Sequence, residues 1–181
     1  MARPLSLQAR SLAASAIALA AFLGLAFFAL DQGFYDAAKS SLRDRLQGYM
    51  YAYLAAADTT RGGSLSPPEV GPDPRFDRPA ATGLYAGIVG ARIEGAKTGR
   101  WRSPSAIGRD LPFDEELPRG VERFVGPMET GAGELFVLSQ GVDWNIPNRK
   151  PLHLTFHVAE DVVTLDHQVE VYRRTLLAWL G

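Results

Sequence analysis

The feature that most limits what this chain can become is Leu12–Leu30, "LAASAIALAAFLGLAFFAL", 19 consecutive residues without a charge. As a helix rising about 1.5 Å per residue, it comes close to the roughly 30 Å hydrocarbon core of a bilayer. A core helix of a soluble domain would carry a polar face somewhere along such a length, and this segment has none. A cleaved signal peptide has a shorter apolar region, about 7 to 15 residues, followed by small residues at the cleavage site. Here the run ends in Phe27, Phe28 and Leu30. Residues 12–30 are therefore expected to stay in place as a transmembrane helix. Arg3 and Arg10 precede the run, and Asp31 and Asp36 follow it. The positive-inside bias then leaves residues 1–11 in the cytoplasm and the chain beyond residue 30 outside the inner membrane, periplasmic in a Gram-negative cell.

The rest has the composition of one folded domain: 181 residues, 46% hydrophobic and 22% charged. With 19 Lys and Arg against 20 Asp and Glu, the basic surplus that neutralising phosphates would require is missing, and no nucleic-acid partner is expected. The absence of cysteine removes disulfides, thiolate metal sites and cysteine nucleophiles.

After the span, Tyr35, Leu42, Leu46, Tyr49 and Tyr53 recur at helical spacing, with Arg43, Asp44, Arg45 and Gln47 between them. The membrane helix is expected to continue outward as an amphipathic helix with one stripe to bury. Residues 66–83, "SPPEVGPDPRFDRPAATG", hold five of the twelve prolines and read as a surface loop. The period then changes to that of strands. Candidates are Leu84–Ile93, Arg100–Pro104 after the turn "GAKTG", Val121–Met128, a run through Leu135–Leu138, and Leu152–Ala159. Leu135–Leu138 is continuously apolar, as a central strand covered on both faces would be. In the last strand Leu152, Leu154, Phe156 and Val158 alternate with His153, Thr155, His157 and Ala159, predicting one buried and one wetter face.

Asp161 is a plausible N-cap for a closing helix, along which Val162, Leu165, Val169, Tyr172 and Leu176 are spaced 3, 4, 3 and 4. That helix runs into "TLLAWLG". A second span is expected to begin at Thr175, with Tyr172 and Trp179 at the interface and residues 175–181 as its start; an amphipathic C-terminal helix is the competing reading. The fold class that follows is α+β, an antiparallel sheet over residues 31–174 flanked by membrane-continuous helices.

Catalytic motifs are missing: neither GxxxxGK[ST] nor GxGxxG nor GxSxG occurs. No catalytic or cofactor-binding residue is expected in these 181 residues. One cluster could bind a divalent cation, magnesium or calcium. "GRDLPFDEEL" places Asp110, Asp114, Glu115 and Glu116 within seven residues, and hard cations take carboxylate oxygens. A solvated loop balanced by Arg109 and Arg119 is the alternative. His153 and His157 share a strand face but stand roughly 13 Å apart, too far for one metal. They could titrate near pH 6 to 7. Trp101 and Trp144 read as core or interface aromatics rather than a ligand cage.

The stretches "LSLQARSLAASAIALAAFLGLAFFALD", "RLQGYMYAYLAAAD", "PRFDRPAATGLYAGI", "WRSPSAIG", "ELFVLSQGV", "FHVAED" and "YRRTLLAWLG" together make the chain resemble the N-terminal sensor region of PhoQ-like two-component sensor histidine kinases. The resemblance implies a homodimeric inner-membrane receptor with a PAS-like (PDC-type) periplasmic domain between two spans. It further implies a HAMP linker and an ATP-dependent kinase core beyond Gly181, acting on a response regulator. On this reading ATP binds only in that missing core, and magnesium or calcium is the sensed ligand. The reading that competes with it is a signal-anchored periplasmic binding or assembly module without kinase activity.

Overall fold

The computed structural model describes residues 7–96, 98–146 and 148–163. Helix α1, Leu7–Ala56, is unbroken over 50 residues, about 75 Å at helical rise. It is the one helix among the described residues long and apolar enough to cross a membrane, and its apolar window is wholly exposed. Gly24, Gly33 and Gly48 interrupt neither half, since a lone glycine costs a helix only about 1 kcal/mol against alanine. The outer half buries the expected stripe. Leu42, Leu46, Met50 and Tyr53 are at most 1% exposed, spaced 4, 4 and 3, while Tyr35 and Tyr49 pack partly against the same cluster.

The proline-rich segment is irregular, as expected, but not merely superficial. After the two-residue strands β1 (Asp58–Thr59) and β2 (Leu65–Ser66), it inserts Phe76 edge-on against Tyr49 and Tyr53, with ring centroids 5.4 and 5.2 Å apart. Phe76 is fully buried; the one aromatic residue of the segment becomes the anchor.

Five antiparallel strands form the main sheet: β3 (Leu84–Gly90), β4 (Arg100–Arg102), β5 (Glu122–Thr130), β6 (Gly133–Trp144) and β7 (Leu152–Asp161). Their order is β4-β3-β7-β6-β5. The middle place belongs to β7, not to the strand containing Leu135–Leu138. That run lies in β6, flanked by β5 and β7, and is buried on both faces as its composition requires. The first and last strands pair along the centre, Leu84↔Glu160 to Gly90↔Leu154.

β7 also corrects the expected wet face. Its even residues Leu152, Leu154, Phe156 and Val158 join the cluster with α1. Its odd residues Thr155, His157 and Ala159 are buried too, beneath a segment that follows a short 3-10 turn at Pro104–Ala106. Leu111, Phe113 and Leu117 pin that segment down and are 3%, 1% and 1% exposed. Two glycines admit it. A Cβ at Gly87 would sit 2.7 Å from the Phe113 ring, and one at Gly141 would sit 2.2 Å from the Pro118 carbonyl oxygen. Asp161 ends β7, its N–H bonded to the Gly83 carbonyl. The closing helix with Leu165, Val169 and Tyr172, and the second span expected at Thr175, lie outside the described residues.

Candidate functional site

Because Leu111, Phe113 and Leu117 face the sheet, the acidic residues between them face solvent, and their neighbours on the strands are arginines. Asp114 lies 3.3 Å from Arg100 Nε and 3.8 Å from Arg102 Nη2. Glu115 takes both its bonds from Arg123 Nη1, at 2.5 and 2.6 Å. Asp110 lies instead against Gly131 in the β5–β6 turn. The four carboxylates Asp110, Asp114, Glu115 and Glu116 thus diverge. Among the described residues no three His, Cys, Asp or Glu side chains converge to hold a metal ion. The compensating cations are Arg100, Arg102 and Arg123 rather than the Arg109 and Arg119 that the sequence offers as neighbours. Arg109 bonds the Ser105 carbonyl and lies over Tyr85, and Arg119 approaches Asp143.

The two histidines behave oppositely. His153 is partly exposed, with Nδ1 2.8 Å from Asp143 Oδ1 and Nε2 2.8 Å from the Leu117 carbonyl. Acceptors on both ring nitrogens favour the doubly protonated ring. Its pKa is accordingly raised, first by the Asp143 hydrogen bond and further by the Leu117 carbonyl. His157 is buried, its Nδ1 2.7 Å from Ser139 Oγ and its ring stacked on Phe113 at 5.4 Å. Burial pushes its pKa down to about 4, so it is neutral at pH 7. The expectation that both would titrate near pH 6 to 7 fails for His157 because its strand face is covered. Ser139 and His157 stand at a nucleophile–base distance, yet both lie beneath the covering segment with no path for a substrate. Ser139 ties β6 to β7, while His157, through its stack on Phe113, and Thr155, whose Oγ1 accepts the Leu117 N–H at 2.9 Å, fasten the sheet to that segment.

One open cleft brings part of the predicted set together. Between the β3–β4 turn and the start of β7, a space of about 680 Å³ is bordered by Arg92, Arg100, Lys150, His153, Asp114 and Glu116. Arg92 and Lys150 have no ion-pair partner among the described residues. The cleft is therefore polar and of mixed charge. Trp101 edges against Tyr53 at 5.9 Å, and Trp144 Nε1 donates to Thr59 Oγ1.

A further cluster went unread in the sequence. Glu160 is 1% exposed on the α1 side of the sheet, 3.0 Å from Arg45 Nε and 4.0 Å from Arg75 Nη1. Arg75 also binds Asp73, and Tyr49 donates to that carboxylate at 3.1 Å. Arg75 holds Asp73 down at about 2, while burial and the Asp73 hydrogen bond raise Tyr49. The signal was available: Glu160 continues the even series 152, 154, 156, 158 of β7, so it had to point into the helix interface. Charge on an apolar face requires a partner, and Arg45 lies on the polar side of the stripe. No family model, curated protein or solved structure matches the chain.

Proposed function

We propose that this chain is the membrane-anchored input half of a signalling receptor, as the PhoQ-like resemblance implies, with a PAS-like (PDC-type) sensing domain outside the membrane. The observation that carries the reading is the continuity of α1. One helix holds an exposed apolar span and, without a break, the buried stripe Leu42, Leu46, Met50 and Tyr53. A domain that only needed tethering would be served by a flexible linker. Here, any movement of the sheet against α1 moves the span. Arg45 and Glu160 make a second connection, from α1 to the central strand. The sheet order, with the first and last strands adjacent at the centre and the helix laid on one face, supports the PAS-like reading. Arg10 before the span and Asp31 and Asp36 after it support a periplasmic sheet domain. On this reading the receptor is a homodimer, ligand binding biases one of two packings of its membrane-proximal helices, and a kinase core and response regulator carry the signal onward.

The test is a chimera in which residues 1–181 replace the sensor and spans of a PhoQ-like kinase, with a transcriptional reporter. Arg45→Met is expected to shift basal output without changing the amount of protein in the membrane. Output identical to the parent chimera would overturn the coupling. The open polar cleft favours, as a second reading, a signal-anchored binding or assembly module without kinase output. An alkaline-phosphatase fusion after Thr60 is active under both readings, and its inactivity would refute both.

A further inference from the structure

A second open space lies beside the last turns of α1, and its chemistry differs from that of the polar cleft. Tyr53 from the last turns of the helix and Trp101 from β4 form an aromatic corner, their ring centroids 5.9 Å apart at 62°. Pro67, Pro68 and Ile107 extend the apolar walls around a groove of about 400 Å³. Ile107 is 67% exposed and Val70, next to the lining residue Glu69, is 72% exposed. The charges around the groove are mainly of one sign. Glu69, Asp77 and Glu94 line it against the single cation Arg102. Arg102 is already engaged, donating to the Arg109 carbonyl at 2.6 Å and approaching Asp114 at 3.8 Å. Glu69 and Glu94 have neither ion-pair nor hydrogen-bond partners among the described residues. Asp77 accepts the Gly71 N–H through one oxygen, which fixes the carboxylate at the wall.

We propose that this groove binds a small organic cation, a protonated or quaternary amine carrying an apolar body. The half-buried Trp101 ring attracts a cation over its face, with Tyr53 buried behind it, and the surrounding carboxylates add an attraction that a neutral or anionic ligand would not feel. A bare metal ion is a poor fit, because the walls are apolar and the carboxylates do not converge on one point. An anion would meet three carboxylates and one occupied arginine. The volume lies within the range of small-molecule sites. A ligand seated there would touch α1 through Tyr53, β2 and the proline-rich segment through Ser66 to Gly71, and β4 through Trp101. It would therefore bridge three elements at once. As a stimulus for the receptor this rests on the proposed function; as a binding site it does not.

The purified full chain in lipid nanodiscs is titrated calorimetrically with choline, benzyltrimethylammonium and agmatine. The isosteric neutral alcohol 3,3-dimethylbutan-1-ol is the control. At least one cation is expected to bind with a Kd on the order of 1 mM or tighter, and choline at least about fivefold more tightly than its neutral isostere. The exposed double variant Glu69→Gln/Glu94→Gln should weaken cation binding about tenfold with the melting temperature unchanged. Trp101→Leu should weaken it as well, and the double variant keeps the test decisive where loss of Trp101 disturbs folding. Absence of binding by all three cations, equal binding of choline and the alcohol, or full binding by the double variant would each overturn the site. Binding without any effect on the chimera's output would sustain the site and count against the receptor reading alone.

Discussion

On one side of β7, Leu154, Phe156 and Val158 share a core with Leu42, Leu46 and Met50 of a regular helix; on the other, Thr155 and His157 lie beneath an irregular segment pinned by Leu111, Phe113 and Leu117. The helix side is apolar side chain against apolar side chain, with ionic ties from Arg45 to Glu160 and from Arg43 to Glu122. The segment side has a smaller apolar cluster around Leu111, Phe113, Leu135 and Val137, a close backbone approach at Gly87 and Gly141, and single hydrogen bonds such as the Leu117 N–H to Thr155 Oγ1. Dispersion and burial over many atoms resist sliding in every direction, whereas a hydrogen bond from a loop is lost in one step. The segment side is therefore expected to open locally before the helix side does.

The largest effect is expected on the helix side. Leu46→Ala removes a fully buried side chain and should lower unfolding free energy by about 2 to 5 kcal/mol, read from denaturant unfolding of the detergent-solubilised chain. A loss below about 1 kcal/mol would mean that the stripe is not packed as described. Next comes the tie between Arg45 and Glu160. Arg45→Met leaves the Glu160 carboxylate buried with only Arg75 at 4.0 Å, and should cost about 3 kcal/mol. The double variant Arg45→Met/Glu160→Leu should recover most of that loss, because no uncompensated charge remains. A double variant no better than the single one would show that the pair does more than neutralise itself.

On the segment side, Thr155→Val strands the buried Leu117 N–H and should cost about 1 to 2 kcal/mol. It should also raise amide exchange across residues 111–118 without affecting α1. Equal acceleration in α1 would erase the distinction between the two faces.

The histidines give the same contrast as a function of pH. His157 has its folded pKa depressed to about 4 by burial, so its contribution is present above the unfolded value of about 6.5 and is lost as pH falls toward 4. His153 has a raised folded pKa; its contribution is full below about 6.5 and is lost as pH rises through the folded value. Urea midpoints measured between these limits should therefore fall on both sides of about pH 6.5. His153→Gln should flatten the alkaline limb alone. Flattening of the acid limb instead would reverse the assignment. The smallest response is expected from magnesium. With Asp114 and Glu115 already paired to arginines, millimolar magnesium should move the melting temperature by less than about 1 °C. A larger shift that is lost in Asp114→Asn/Glu115→Gln/Glu116→Gln would establish these carboxylates as a cation site.

How much of this was legible follows from which signals are local. The continuous helix, the five strand segments and the irregular proline-rich stretch each rest on period or breaker residues within their own sequence. Burial of the odd face of β7 could not be read that way, because it depends on a segment some 40 residues earlier folding back over Gly87 and Gly141. The surroundings of the acidic cluster were hidden for the same reason. Proximity along the chain is visible in "FDEEL", but the partners Arg100, Arg102 and Arg123 come from strands on either side of it. Placing β7 rather than β6 at the centre likewise required the pairing of the first strand with the last, a long-range choice that two similarly apolar runs do not settle.

The central claim is that α1 is one rod from the membrane into the sheet domain. The chain has no cysteine, so a pair of engineered cysteines can carry spin labels without a background. Ser15→Cys and Gly48→Cys sit on exposed positions of the helix, with open space around Gly48. In nanodiscs, with labelled protein diluted into unlabelled protein, electron–electron dipolar spectroscopy should give a single narrow distance distribution near 50 Å, the separation of about 33 residues at 1.5 Å each. A broad distribution, or a population much shorter than this, would show a hinge between span and domain and contradict the account.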